Sequence, residues 1–171
     1  MKCKIIWFTG LSGSGKTTLA NHIYKQIRLK KFKIKKIDGD IIRKKNKEKK
    51  FNKKSIIKNN LYIINYIDKI KSNYDYIIVS VISPIKKTRL IAKTKFKKNY
   101  FEIYTKCSIK ELTKRDTKNL YSMAKKKIIK NLIGFNSKIK YEMTNYNKLV
   151  VNTSKHSINY CSNAIVKHIS K

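Results

Sequence analysis

Acidic residues are scarce in this chain: nine aspartates and glutamates stand against 43 lysines and arginines, for a formal net charge of +34 over 171 residues. A surplus that large attracts nucleic acid or anionic membrane through charge alone. Arginine is scarcer still, confined to Arg28, Arg43, Arg89 and Arg115. Groove-reading proteins depend on arginine forks for bidentate contacts, and no RNA-binding signature or zinc-finger spacing is present. The charge therefore reads as compositional, with lysine enriched alongside asparagine and isoleucine and solvated on outer faces. Contact with nucleic acid is expected to be non-specific only.

Cysteine is limited to Cys3, Cys107 and Cys161, far apart and without a CxxC pair, which speaks against a disulfide framework or a zinc site and fits a reducing, cytoplasmic setting. His22, His156 and His168 lack partners at ligand spacing and are assigned no role. No apolar run approaches the roughly 20 residues that span a bilayer, so no membrane association is expected. The start, KCKIIWFTGL, is basic and then apolar, but it ends at once in a glycine loop and reads as a strand, not a signal peptide. Without a linker, internal repeat or disordered half, residues 1–171 read as a single domain.

What the chain does have is alternation. Short β-rich runs at Lys4 to Thr9, Lys33 to Ile37, Tyr74 to Val81, Tyr100 to Thr105 and Lys148 to Val151 are separated by segments of helical period, the pattern of a parallel sheet covered on both faces. Leu19, Ile23 and Ile27 mark a first helix ending near Lys30. Ile57, Leu61, Ile64 and Ile67 mark a long second one stopping near Asn73. After Pro84 breaks the chain, a helix carrying Arg89 and Ile91 follows, and Ser157 caps a closing helix with Ile158, Cys161, Ile165 and Ile169 on its inner face. A lysine-rich amphipathic stretch from Thr117 to Phe135 lies where nucleotide kinases carry a mobile lid.

Gly10-Leu-Ser-Gly-Ser-Gly-Lys16-Thr17 satisfies GxxxxGK[ST] between an apolar strand and an amphipathic helix, the setting the motif requires. Its glycines let successive backbone N–H groups turn toward phosphates, and the helix start adds the positive end of its dipole. Gly10, Ser12, Gly13, Ser14, Gly15, Lys16, Thr17 and Thr18 are thus expected to bind ATP. Lys16 bridges its β- and γ-phosphates and Thr17 coordinates Mg²⁺. The expected architecture is an α/β, three-layer P-loop fold of about five mostly parallel strands, with helices on both faces and a lysine-rich lid.

With so few carboxylates, the catalytic candidates are quickly narrowed. Asp38 and Asp40 follow the second strand directly, and in a parallel sheet that loop opens on the same edge as the phosphate loop. The third strand lacks the terminal aspartate that P-loop ATPases and GTPases present to magnesium-bound water, which disfavours a motor or switch. A hydroxyl acceptor needs a carboxylate to take its proton. Asp40 is the candidate base, with Asp38 assisting it or holding magnesium water, and Arg43, one helical turn on, a binder of an anionic acceptor group.

At these residues the chain resembles the adenylylsulfate kinases, which phosphorylate the 3′-hydroxyl of adenosine 5′-phosphosulfate with MgATP. FTGLSGSGKTTLA at Phe8 to Ala20 is similar to the family's opening and IDGDIIR at Ile37 to Arg43 to its DGDNxR segment. SVISP at Ser80 to Pro84 is similar to SFISP, RDTKNLY at Arg115 to Tyr121 to RDPKGLY, and IKNLIG at Ile129 to Gly134 to IKNFTG. The resemblance implies that Asp40 is the base or the magnesium-water ligand, that Arg43 and Asn59 bind the acceptor, that Phe51 stacks on its adenine and that Lys118 reaches it from the lid. It also places Ile82, Ser83 and Leu132 at the acceptor and Arg115 near the ATP base. Ser83 matches a serine that some family members carry phosphorylated.

The chain departs from the family at Ile41, which replaces the asparagine of DGDN, and at Ile56, where the family has a substrate-binding arginine. Leu132 and Ile133 replace a phenylalanine and a threonine. The implied partner is a small nucleotide substrate, with a homodimer open as the assembly. Two further readings stand beside this one. A kinase of the same fold could act on another anionic nucleotide or small metabolite, or a non-catalytic basic protein that keeps the nucleotide fold could bind RNA or a protein partner.

Overall fold

The computed structural model describes residues 2–46, 52–146 and 148–170. Five strands form one sheet: β1 (Lys4–Thr9), β2 (Ile34–Asp38), β3 (Tyr76–Ser80), β4 (Tyr100–Lys106) and β5 (Leu149–Asn152). All their pairings are parallel, in the order β2-β3-β1-β4-β5. β1 lies at the centre, and its residues alternate between two cores. Ile5 and Trp7 face one way, Ile6 and Phe8 the other, and all four are buried. This is why KIIWFT reads as a continuous apolar run and not as an alternating one.

On one face, α1 (Lys16–Arg28) and α7 (Ile158–Ile169) pack Leu19, Ile23 and Ile27 with Cys161, Ile165 and Ile169 against Ile6, Phe8, Ile78 and Ile103. On the other, α3 (Lys53–Ile70) and α4 (Lys86–Phe96) pack Ile63, Ile64, Ile67, Ala92 and Phe96 against Ile5, Trp7, Ile77 and Val79. Burial of each such side chain is worth roughly 1.5–3 kcal/mol. α3 begins with a reciprocal capping box between Asn52 and Ser55, and Ser157 caps α7 by accepting from the Tyr160 N–H. Three short helices, α2 (Gly39–Lys45), α5 (Ile109–Arg115) and α6 (Leu120–Lys125), lie at the strands' C-terminal edge.

Two sequence expectations shift. The third strand is shorter than Tyr74 to Val81, because the Tyr74 N–H turns back to the Lys71 carbonyl in a short 3₁₀ turn. Ile158 does not face the core: it is 47% exposed, and the inner face of α7 is completed by Ser162 instead. Among the described residues no helix is long and apolar enough to cross a membrane.

Candidate active site

Because every strand runs the same way, the segments following β1, β2, β3 and β5 converge on one edge, and a cavity of about 600 Å³ opens there. Its floor is the phosphate loop, with Ser12, Gly13, Gly15, Lys16, Thr17 and Thr18 on the wall. Gly10 and Ser14 stand behind it. Gly10 has φ 142°, and a Cβ there would come within 2.6 Å of the Thr105 carbonyl oxygen and 2.5 Å of its Oγ1. Ser14 is fully buried and its hydroxyl bonds that of Thr105 at 2.6 Å.

Three residues far along the chain brace this loop, and sequence reasoning missed all of them. Thr105 Oγ1 donates to the Thr9 carbonyl (3.0 Å), Thr153 Oγ1 to that of Ser14 (3.0 Å) and the Tyr121 hydroxyl to that of Ser12 (2.9 Å). Lys16 folds back across the loop, its Nζ donating to the Leu11 carbonyl at 2.6 Å. Burial pushes the Lys16 ammonium down to about 8, against the opposing pull of Asp40 and Asp38. A lysine so desolvated is poised for a polyanion that restores its charge.

Asp38 and Asp40 both line the cavity. Asp38 caps α2, its Oδ1 accepting from the N–H of Asp40 (2.8 Å) and of Ile41 (3.4 Å). That cap turns Asp40 outward at the mouth, where its Oδ2 lies 2.7 Å from Lys118 Nζ. Burial raises the Asp40 carboxyl's pKa, but the hydrogen bond and charge of Lys118, with the charges of Lys16 and Arg43, outweigh it and hold the group below the usual carboxylate range. Gly39 allows this turn to approach β3: a Cβ there would lie 2.6 Å from Val81 Cγ2.

Beyond Asp40 lies a second, much smaller cavity of about 20 Å³. Asp40, Arg43, Asn59, Ile82 and Ser83, all expected from the sequence at the acceptor, line it together with Ile56, Asn60 and Ile133. Leu132 lies elsewhere, buried with Leu112, Tyr121 and Ala124, and its neighbour Ile133 occupies the wall. Phe51 lies outside the described residues. Ser83 adopts φ 45° and is 1% exposed. Its carbonyl accepts from Arg89 Nη1, and Arg89 Nη2 donates to the Glu142 carbonyl.

Arg89 is wholly buried over the Tyr141 ring, with its Nε 3.4 Å from Glu102 Oε1. Glu102, a buried residue of β4, also accepts from the hydroxyls of Thr144, Tyr100 and Tyr146. The sequence showed Glu102 only as a strand residue. Its role in the fold is to anchor the segment 141–146 behind the wall that carries Ser83.

At the far end of the larger cavity stand Arg115, Thr153, His156, Ser157 and Ile158. Arg115 is fixed by Glu111 (Nε to Oε1, 2.9 Å) and by the Thr153 carbonyl (2.6 Å). Thr17 is exposed at the start of α1. Among the described residues no three of His, Cys, Asp and Glu are grouped to hold a metal ion. A divalent ion at this site would therefore take the Thr17 hydroxyl, phosphate oxygens and water held by Asp40, a donor set that suits Mg²⁺, which retains much of its hydration.

The adenylylsulphate kinase family model matches residues 2–152. The chain is 35% identical over 153 residues to a probable adenylyl-sulfate kinase of Archaeoglobus fulgidus, covering 89% of this chain and 97% of that protein. It is 29% identical over 166 residues to the cytidine diphosphoramidate kinase of Campylobacter jejuni, covering 97% and 96%. The APS kinase CysC of Mycobacterium tuberculosis, solved in complex with AMPPNP and APS, superposes with a TM-score of 0.89 at 23% identity, covering 99% of both chains.

Proposed function

The chain belongs to the adenylylsulphate kinase family, and from that membership we propose that it transfers the γ-phosphoryl group of MgATP to the 3′-hydroxyl of adenosine 5′-phosphosulfate. The observation that carries this reading is the position of Asp40, which lies on the wall of both cavities. A carboxylate there can face a hydroxyl entering from the smaller cavity and the terminal phosphate held in the larger one.

The loop amides and Lys16 hold the β- and γ-phosphates, and the brace of Thr105, Tyr121 and Thr153 fixes those donors before ATP arrives. Asp40 accepts the acceptor's proton. Its depressed pKa keeps it ionised, and a weak base suffices where the proton leaves late, as the O–P bond forms in a loose transition state. Lys118 and Arg43, both beside Asp40, offer positive charge to the anionic end of the acceptor. Mg²⁺, when bound with ATP, neutralises phosphate charge; Thr17 and, through water, Asp40 would hold it. Arg115, on the wall of the larger cavity, would lie beside the base of ATP.

A coupled ADP-release assay tests the assignment by comparing adenosine 5′-phosphosulfate with cytidine nucleotides and other anionic nucleotides. Adenosine 5′-phosphosulfate is expected to give the highest kcat/KM. No rate with it, alongside turnover of another nucleotide, would overturn the assignment.

A further inference from the structure

α3 buries one face through Ile56, Ile63, Ile64 and Ile67, and Asn60 lies on that face one turn beyond Ile56. An apolar residue would satisfy the packing there, yet Asn60 is 1% exposed. Its Nδ2 donates to the Ile56 carbonyl at 2.9 Å. That bond fixes the amide's orientation, because the oxygen could not donate to a carbonyl. Oδ1 is therefore committed to the opposite side, where it has no partner. A buried acceptor left unmet is costly, and such groups call for a ligand or a water to complete them.

Asn60 lines the small cavity beside Asp40 together with Asn59 and Ser83, whose buried Oδ1 and Oγ are unmet as well. An amide oxygen only accepts. It cannot pair with a phosphate or sulfate oxygen, which is also an acceptor at neutral pH, so what completes Asn60 is an N–H or O–H group. The apolar Ile56 and Ile133 on the same wall fit a neutral part of the ligand, with the anionic end lying toward Arg43 and Lys118.

On the reading of the acceptor given above, we propose that Asn60 is a specificity-determining residue, its Oδ1 accepting a hydrogen bond from a neutral donor of the acceptor nucleotide, either the ribose 2′-hydroxyl or the exocyclic amine of the base. The cavity of about 20 Å³ also has room for roughly one water molecule, so the test must separate the two occupants.

The experiment measures acceptor kinetics for wild type and Asn60→Leu with adenosine 5′-phosphosulfate, its 2′-deoxy analogue and its inosine analogue. ATP-analogue affinity is measured alongside. We expect Asn60→Leu to lower kcat/KM for the parent acceptor by about tenfold while ATP-analogue affinity stays within about twofold. Wild type should discriminate against one analogue by a similar factor, and that discrimination should vanish in Asn60→Leu, which identifies the donor. Acceptor kcat/KM within about twofold of wild type, or equal discrimination in both proteins, would assign the oxygen to water and overturn the proposal. Asn60→Ser, too short to reach, takes the same measurements if the leucine variant does not fold. No wild-type turnover of the parent acceptor overturns the function itself, whereas turnover insensitive to the substitution overturns only the role of Asn60.

Discussion

Lys16 offers a quantitative prediction. Its ammonium is desolvated in the phosphate loop and donates to a single carbonyl, which brings its pKa from 10.5 to about 8. Bound phosphates reverse that shift, because opposite charge favours the protonated form. Nucleotide binding above pH 8 must then take up a proton. With a pKa of about 8 in the free protein and one well above 9 in the complex, affinity should fall about eightfold between pH 7.5 and 9, with uptake approaching one proton at pH 9. The same residue acts in the opposite sense on the free protein. Its unfolded state keeps the proton up to 10.5, so its contribution to folding stability rises with pH from about 8 to that point. Isothermal titration of ADP in two buffers of different ionisation enthalpy measures the uptake directly. Lys16→Arg, charged throughout, should lose the pH dependence. Affinity constant from pH 7.5 to 9 without proton uptake would refute the reasoning.

Two other substitutions probe the frame around the site. Gly39→Ala would place its Cβ 2.6 Å from Val81 Cγ2 and displace the start of α2; it should cost about 1–3 kcal/mol in urea unfolding and lower kcat while ATP-analogue affinity holds, and an unchanged kcat would show that Asp40 does not depend on this close approach. Glu102→Ala leaves the wholly buried Arg89 without its counter-ion and should cost about 3–5 kcal/mol, whereas Arg89→Met/Glu102→Gln should cost less than the single change; chemical denaturation of both proteins checks the order.

The parts of the site legible in the sequence were those that local pattern specifies. The phosphate loop is contiguous from Gly10 to Thr17, and Asp38 and Asp40 could be placed opposite it because parallel strands send their following loops to one edge. What brackets these residues was not legible. Thr105 meets Ser14 across 91 residues and Tyr121 meets Ser12 across 109, and a lone hydroxyl carries no period that announces such a partner. Arg89 and Glu102 looked like ordinary charged residues of a helix and a strand, since only the packing of the segment 141–146 over them removes both from water. Ile158 fitted the helical stripe of α7 but lies in its first turn, where the helix faces the cavity and not the sheet. Leu132 and Ile133 are adjacent, and sequence alone does not decide which of the two reaches the acceptor wall.

The central claim is that one carboxylate, Asp40, serves the reacting hydroxyl while the phosphate loop independently holds ATP. Single-turnover phosphoryl transfer to adenosine 5′-phosphosulfate by Asp40→Asn, set beside its ATP-analogue affinity, tests it most directly. The expected result is a loss of about 10²-fold or more in the transfer rate with nucleotide affinity changed by no more than about threefold. Transfer at the wild-type rate by Asp40→Asn would contradict it.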